Sequence, residues 1–316
     1  MLSTLSALFP VFAMIAAGYA CRRRGIMGTT AASELNRFVV WLALPVLLFG
    51  VMAHASWTAL YQPAFVAAFG LGSAFVFVLM LTLRLRGGRH LADASVDAIA
   101  AAYPNTAYIG FPLMLIVFGT AGLTPATIAT ILIVCLLFSV AIVLIEVGLQ
   151  AERRAHKIVV KVGASLLRNP LIVAPLAGAL FNGAGGAVPA AVDSLIKLLG
   201  AAASPCALVC LGLFLGERRP AVPAAHGNGD RGAYWLTGAK LLLQPALTWM
   251  LATRVFMLPT SLAGMAVLLS ALPTGTGPFM LAEFYGREGS VSSKTILMTT
   301  VGSLLTLSIL LPQIKL

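Results

Sequence analysis

Charged residues are scarce in this sequence. Aspartate, glutamate, lysine and arginine make up 10% of its 316 residues, whereas 59% are hydrophobic. Soluble domains have about a quarter of their residues charged, because a folded globule meets water over its whole surface. The low charge content therefore excludes a soluble globular protein and indicates that lipid surrounds most of the surface. In lipid the backbone polar groups must be satisfied internally, which leaves helices and closed barrels.

Cysteine is also rare, and its pattern does not indicate a metal site. The four cysteines lie inside apolar segments, and no histidine lies near the Cys206 and Cys210 pair. We interpret them as packing residues and predict no metal and no cofactor. His-Glu-x-x-His, Gly-x-Gly-Asp and aspartate-rich prenyl-phosphate motifs are missing as well, so the sequence predicts that the protein is not an enzyme.

What the sequence has in abundance is long apolar stretches. They lack the dyad alternation of barrel strands, and most are long enough to cross a bilayer as a helix of about twenty residues. We therefore predict an all-α polytopic membrane protein with ten transmembrane helices, numbered here as the first to the tenth span. The stretches are 5–21, 36–53, 63–83, 94–118, 125–149, 169–182, 190–215, 233–254, 260–285 and 295–313.

Basic residues collect in alternate connections between these stretches. By the positive-inside rule such connections face the cytoplasm, which predicts that both termini lie on the outside. We read the net charge of +11 as this topological signal and not as a nucleic-acid site. The residues concerned are Arg22, Arg23, Arg24, Arg37, Arg84, Arg86, Arg89, Arg153, Arg154, Lys157, Lys161, Arg168, Arg218, Arg219, Arg231, Arg287 and Lys294.

Proline and glycine interrupt two of the spans in their middles. Residues 103–112 of the fourth span read Tyr-Pro-Asn-Thr-Ala-Tyr-Ile-Gly-Phe-Pro, and residues 272–278 of the ninth read Leu-Pro-Thr-Gly-Thr-Gly-Pro. Proline inside a helix removes a hydrogen bond and clashes with the preceding turn, so both helices should break there. A softer pair of prolines, Pro45 and Pro205, occurs in the second and seventh spans.

Each of these pairs is separated by five spans. An odd number of spans gives the second half the opposite orientation in the membrane, so the pattern predicts a five-plus-five inverted repeat of residues 1–160 and 161–316. Broken helices at matching places in two inverted halves are the best sequence indication of a transporter's substrate site. The alternative is that the prolines only kink packed helices, which would not explain why two multi-residue breaks coincide under the repeat.

The composition of the breaks indicates the chemistry. Pro112 and Pro278 suit the first position of a new half-helix, and the N–H groups of residues 113–115 and 279–281 would then face a central cavity, where a carboxylate is favoured. Hydroxyl and carbonyl oxygens could instead hold Na⁺. The predicted substrate site comprises Asn105, Thr106, Tyr108, Gly110, Pro112, Thr274, Gly275, Thr276, Gly277 and Pro278, with Pro104, Pro112, Pro273 and Pro278 as crossover prolines.

Two charged residues within the spans are further candidates, because ionisable groups are costly in lipid. Glu283 follows the ninth-span break and is a candidate for proton coupling, with a carboxylate at the cytoplasmic end of the helix as the alternative. Lys240 lies about two turns inside the eighth span, where it could neutralise an anionic substrate or pair with Glu283. Its alternative is an amine that reaches the cytoplasmic interface.

Nearly the whole chain resembles the auxin efflux carrier family, within the wider bile, arsenite and riboflavin transporter superfamily, and most of all bacterial malonate carriers. The breaks are the most specific part of this resemblance. Thr276, Gly277 and Pro278 stand where the family often has an asparagine, so only Asn105 transfers as a ligand. The segments that carry the resemblance are 9–12, 18–25, 35–45, 105–112 and 271–286.

The resemblance implies a secondary carrier of the bacterial cytoplasmic membrane that works by an elevator mechanism. It implies crossed fourth and ninth helices, a scaffold of spans 1, 2, 6 and 7, and a moving bundle of spans 3–5 and 8–10. It further implies a homodimer and a small dicarboxylate substrate such as malonate or malate, coupled to H⁺ or Na⁺. An auxin-like or other monocarboxylate efflux carrier, and a membrane sensor or channel, are the alternatives.

Overall fold

The computed structural model describes residues 2–150, 155–217 and 229–314. These residues are helical, with one isolated antiparallel bridge between Pro104 and Thr274. The predicted cytoplasmic residues Arg153, Arg154, Arg218 and Arg219 lie outside the described residues. The helices are α1 Leu2–Arg23, α2 Ala31–Ala53, α3 Trp57–Leu60, α4 Pro63–Arg86, α5 Leu91–Ala102, α6 Thr106–Gly148, α7 Ala155–Arg168, α8 Pro170–Gly183, α9 Ala190–Leu215, α10 229–255, α11 Thr260–Ser270, α12 Gly277–Phe284 and α13 Ser290–Ile314.

Each predicted apolar stretch coincides with a helix or with a pair of shorter helices. Within the described residues, α2, α4, α6, α9 and α13 are long and apolar enough to cross a bilayer, and residues 160–183 of α7 and α8, bent by 74°, would make a sixth crossing. The chain is thus an all-helical protein with several membrane-spanning helices. The ninth predicted span is not a continuous helix, because the segment 271–276 divides it into α11 and α12.

Helix α6 is 43 residues long, about twice the length that crosses a bilayer. It doubles back at Gly119, which has a φ of 62° and so adopts a backbone conformation that glycine tolerates best. Residues 106–110 consequently pack against Leu123–Thr130. Close contact at the turn also requires a glycine, because a Cβ on Gly122 would lie 2.9 Å from the Met114 carbonyl oxygen. The arm of α6 before Gly119 corresponds to the second half of the fourth predicted span, and the arm after Gly119 corresponds to the fifth.

The helices pack as two groups. We call α1, α2, α8 and α9 the first helix group, and α4, α5, α6 and α10–α13 the crossing group. Small residues let the backbones of the first group approach closely: a Cβ on Gly212 of α9 would lie 2.1 Å from the Ile15 carbonyl oxygen of α1. Likewise, a Cβ on Gly178 of α8 would lie 2.5 Å from the Phe49 carbonyl oxygen of α2. Such contacts between small residues are the usual basis of helix association in lipid.

Ion pairs join the ends of helices in the crossing group. Asp97 of α5 is 1% exposed and accepts hydrogen bonds from Arg84 at 2.7 Å and from Arg89 at 3.3 Å. Arg89 also bonds to Glu288, in the loop after α12. The Ser290 hydroxyl and the Arg89 guanidinium lower the pKa of Glu288 from its ordinary value. Removing Arg84 and Arg89 would leave the buried Asp97 carboxylate without a partner, which would destabilise the fold.

Candidate functional site

The two sequence breaks cross each other inside the crossing group. The backbone N–H of Asn105 donates to the Pro273 carbonyl at 2.9 Å, and the N–H of Gly275 donates to the Tyr103 carbonyl at 3.0 Å. These bonds form the antiparallel bridge between Pro104 and Thr274. Backbone groups that the broken helices cannot satisfy are thereby paired with one another, which is how extended backbone is tolerated at membrane depth.

Thr274 fixes the crossing to its neighbours. Its hydroxyl donates to the Ala100 carbonyl in the last turn of α5 at 2.8 Å. Its backbone N–H donates to the Thr299 hydroxyl of α13 at 3.1 Å. Thr274 is 1% exposed and does not line the adjacent cavity. The structure therefore gives this predicted site residue a role in holding the crossing in place.

A cavity lies beside the crossing, between the two helix groups, and about 410 Å³ of space, open solvent included, separates its walls. The first group contributes an apolar wall from α2 and α9, and the crossing group contributes the polar groups. None of the residues that line the cavity carries a charged side chain. They are Val39, Leu44, Leu47, Tyr103, Pro104, Asn105, Thr106, Ala107, Tyr108, Val134, Ala203, Gly275, Thr276, Gly277 and Met280.

Two helix N-termini open on this cavity. Asn105 precedes α6 and its carbonyl accepts the N–H groups of Ile109 and Gly110 at 3.2 and 3.0 Å. The first-turn residues Ala107 and Tyr108 line the cavity. Thr276 precedes α12 in the same way, with its carbonyl accepting the N–H of Met280 at 3.1 Å. First-turn N–H groups have no carbonyl partner within their helix and carry partial positive charge, so they favour an anion.

Two hydroxyl groups near the start of α6 add to this polarity. The Thr106 Oγ1 and Tyr108 Oη atoms are buried and have no hydrogen-bond partner among the described residues. Buried polar groups are nearly always hydrogen-bonded, and an exception calls for an explanation. Both residues line the cavity.

Glycine in the second break makes room for the Tyr103 ring. A Cβ on Gly275 would lie 2.9 Å from Cε1 of Tyr103, and a Cβ on Gly277 would lie 2.8 Å from Cζ of the same ring. The ring also packs on Phe138 of α6, with 5.6 Å between centroids. The second break is therefore close-packed against the first through an aromatic ring.

Some predicted site residues lie elsewhere. Pro278 lies in the first turn of α12, which begins at Gly277, and Pro112 lies in the first α-helical turn of α6, a turn that begins at Phe111. The first half-helix nevertheless begins earlier than predicted, because a π-helical turn, Thr106–Gly110, precedes Phe111. The N–H groups of residues 113–115 are thus inside a helix. Pro112 is exposed, and Gly110 faces Leu269 and Leu272. Neither of these residues lines the cavity, nor do Pro273 and Pro278.

The two charged candidates also lie outside the cavity wall. Lys240 is 0% exposed, and its Nζ donates to the Ser270 carbonyl at 2.6 Å, so its amine does not reach an interface as the alternative required. Glu283 lies in the last turn of α12 and is partly exposed. Its carboxylate approaches Gly289, where a Cβ would lie 3.0 Å from Oε1.

Comparison with known proteins decides the family. A family described as "Membrane transport protein" matches residues 3–311. The chain belongs to this family. The chain is similar to a Rhizobium meliloti protein named "Putative malonate transporter", at 28% identity over 98% of this chain and 95% of that protein's length. An Arabidopsis thaliana protein named "Auxin efflux carrier component 8" is 21% identical over 93% of this chain and 92% of its own length.

The predicted resemblance to auxin efflux carriers is therefore confirmed. A Methanothermobacter thermautotrophicus protein named "Uncharacterized transporter" is similar over 94% of both chains, at 25% identity. A membrane transport protein with several apolar helices is a multi-pass membrane protein, and the cavity at the crossing is its candidate substrate site.

Proposed function

We propose that this protein is a secondary transporter that binds a small organic anion in the cavity beside the crossing. The observation that carries the proposal is that two helix N-termini, at Asn105 and Thr276, open on one cavity whose wall has no charged side chain. Each N-terminus acts as roughly half a positive charge. Together they suit a carboxylate, whereas a cation would be repelled by both.

The proposed substrate is a small dicarboxylate such as malonate or malate. The name of the Rhizobium meliloti relative supports this choice. The polar groups of the wall could hold a second carboxylate through hydrogen bonds from Asn105, Thr106 and Tyr108. A monocarboxylate is the second candidate, because two half-charges balance one carboxylate and the wall offers no lysine or arginine for another.

For the mechanism we propose ten spans in a five-plus-five inverted repeat, with elevator-type movement. In this proposal the first helix group (spans 1, 2, 6 and 7) is the scaffold and the crossing group (spans 3–5 and 8–10) moves with the substrate. The position of the cavity supports the division, since Leu47 and Ala203 of the first group line it together with Asn105 and Gly277 of the crossing group. The proposal extends to a homodimer in the bacterial cytoplasmic membrane, with both termini in the periplasm.

One polar contact would have to break during such a movement. The Asn169 amide, at the start of α8, donates to the Tyr285 hydroxyl at 3.0 Å. The same hydroxyl donates to Glu146 of α6 at 2.8 Å. The first helix group is thereby tied to the crossing group at one end of the molecule. A contact of this kind holds one end state and is released on the way to the other.

Uptake by purified protein in liposomes tests the proposal. Labelled malonate, malate, acetate and indole-3-acetate are offered in turn, in counterflow and with imposed H⁺ or Na⁺ gradients. We expect counterflow of malonate that unlabelled malate inhibits and that empty liposomes lack. Failure of every carboxylate would overturn the anion proposal, exchange of acetate or indole-3-acetate alone would favour the monocarboxylate candidate, and single-channel currents would replace the carrier with a channel.

A further inference from the structure

A lysine is buried in the middle of the crossing group. Lys240 of α10 is 0% exposed, and its Nζ donates to the Ser270 carbonyl at 2.6 Å. Ser270 is the last residue of α11, the half-helix that leads into the second break. Three residues further on, the Pro273 carbonyl accepts the N–H of Asn105 in the cavity wall. A short stretch of backbone thus connects the lysine to the candidate site.

One turn along α10, a glutamine makes the matching contact with the other break. Gln244 is 0% exposed, and its Nε2 donates to the Ser73 hydroxyl at 3.0 Å and, more weakly, to the Ala102 carbonyl at 3.4 Å. Ala102 is the last residue of α5, the half-helix that leads into the first break. Neighbouring side chains of α10 therefore bond to the final carbonyl of both half-helices.

The C-terminal ends of α5 and α11 favour a positive charge beside them. A helix C-terminus carries about half a negative charge, and α5 and α11 both end beside α10. Their last carbonyls have no N–H partner within the helix. In secondary transporters, half-helix C-terminal ends and unwound carbonyls at such breaks commonly coordinate a co-transported Na⁺ or H⁺. Here the amine of Lys240 is in contact with one end, and the amide of Gln244 with the other.

We propose that Lys240 is the resident counter-ion of the crossing. Its ammonium stands where a co-transported metal cation would be bound, and uptake of the substrate is consequently independent of Na⁺. This inference rests on the proposed transport function. Because Lys240 does not line the cavity, it is a positioning residue: it holds the Ser270 end of the second break, and through Pro273 the backbone of Asn105, in the arrangement that binds the anion.

The first experiment compares malonate uptake by liposomes in sodium chloride and in choline chloride. We expect the parent protein to give the same rate in both salts. Lys240→Gln should lose about tenfold in choline, the effect of removing one hydrogen bond from a charged group, and should recover part of that loss in sodium, which can enter the vacated site. Lys240→Arg, which keeps the charge, should lose less. Lys197→Gln is the matched control, since the Lys197 side chain is 73% exposed.

The second experiment needs no substrate. The thermal unfolding temperature of each purified variant is measured against sodium chloride and choline chloride at equal ionic strength. Sodium should stabilise Lys240→Gln and leave the parent and Lys197→Gln unchanged. Two results would overturn the inference. One is a parent protein whose uptake requires Na⁺, and the other is a Lys240→Gln variant whose uptake and unfolding temperature are both unchanged by Na⁺. If the parent transports no carboxylate, the proposed function fails, but the unfolding measurement still decides the role of Lys240.

Discussion

The two breaks occupy matching places in the crossing, yet they contribute different things to it. The first, around Asn105, supplies side chains: an amide and two hydroxyl groups in or near the cavity wall. The second, around Gly275 and Gly277, supplies space, because the Tyr103 ring lies where a Cβ would be. A paired pattern in the sequence therefore does not imply paired ligands. In the proposed site, the polar side chains come mainly from the first break, and the second break adds Thr276 and the N-terminus of α12.

The largest effect is expected where the first break supplies its amide. Asn105→Ala removes a polar side chain that lies in the cavity wall at the start of α6. Losing a hydrogen bond to a charged ligand costs up to about 3 kcal/mol, so uptake should fall about a hundredfold, to near background. Counterflow of labelled malonate in liposomes, at matched protein density, measures this loss of uptake. Near-normal uptake would remove Asn105 from the site and contradict the asymmetry of the breaks.

The next effect concerns the space in the second break. Gly277→Ala places a methyl group about 2.8 Å from Cζ of Tyr103 and 3.0 Å from Cε2 of Phe138, so the rings and the crossing must shift. Overpacking of this kind costs about 1–3 kcal/mol, and both thermal stability and uptake should fall. Gly238→Ala is the control, because a Cβ there meets nothing within 4 Å. Equal behaviour of the two variants would show that the second break is not limited by space.

A smaller effect is expected from the hydroxyl of the first break. Tyr108→Phe removes an oxygen that has no partner among the described residues, so the fold loses no hydrogen bond. The KM for the substrate should rise about tenfold, the lower end of the effect of one hydrogen bond to a charged ligand, while the unfolding temperature stays the same. Thr130→Val is the matched control, since Thr130 Oγ1 is equally buried and unpaired but does not line the cavity. An unchanged KM for Tyr108→Phe would show that the Tyr108 hydroxyl does not bind the substrate.

The sequence predicts the breaks well and the cavity less well, for physical reasons. Hydropathy, proline and glycine are local signals, so they locate the helices and both breaks. The start of α6 at Thr106 was missed because its π-helical first turn contains no proline or glycine before Gly110. The apolar wall, including Leu47 and Ala203, was missed because a side chain that faces a cavity and one that faces lipid are chosen from the same residues. The partner of Lys240 is a backbone carbonyl, which any residue could supply.

The smallest effect is expected beyond the second break, at Glu283. The sequence makes this carboxylate a candidate for proton coupling, but it lies in the last turn of α12, outside the cavity wall. A group that couples protons to substrate must be protonated or deprotonated as the substrate site changes sides, which favours a position at that site.

We therefore expect Glu283→Gln to change uptake by less than about twofold, since substitutions away from binding and core features usually cost within about 0.5 kcal/mol. The informative measurement compares counterflow, which needs no driving force, with accumulation driven by an imposed pH gradient. If Glu283→Gln retains counterflow but loses accumulation, Glu283 carries the coupling proton, and the second break supplies more than space. If Glu283→Gln retains both counterflow and accumulation, Glu283 does not carry the coupling proton, and the polar groups of the first break remain the main candidates for transport.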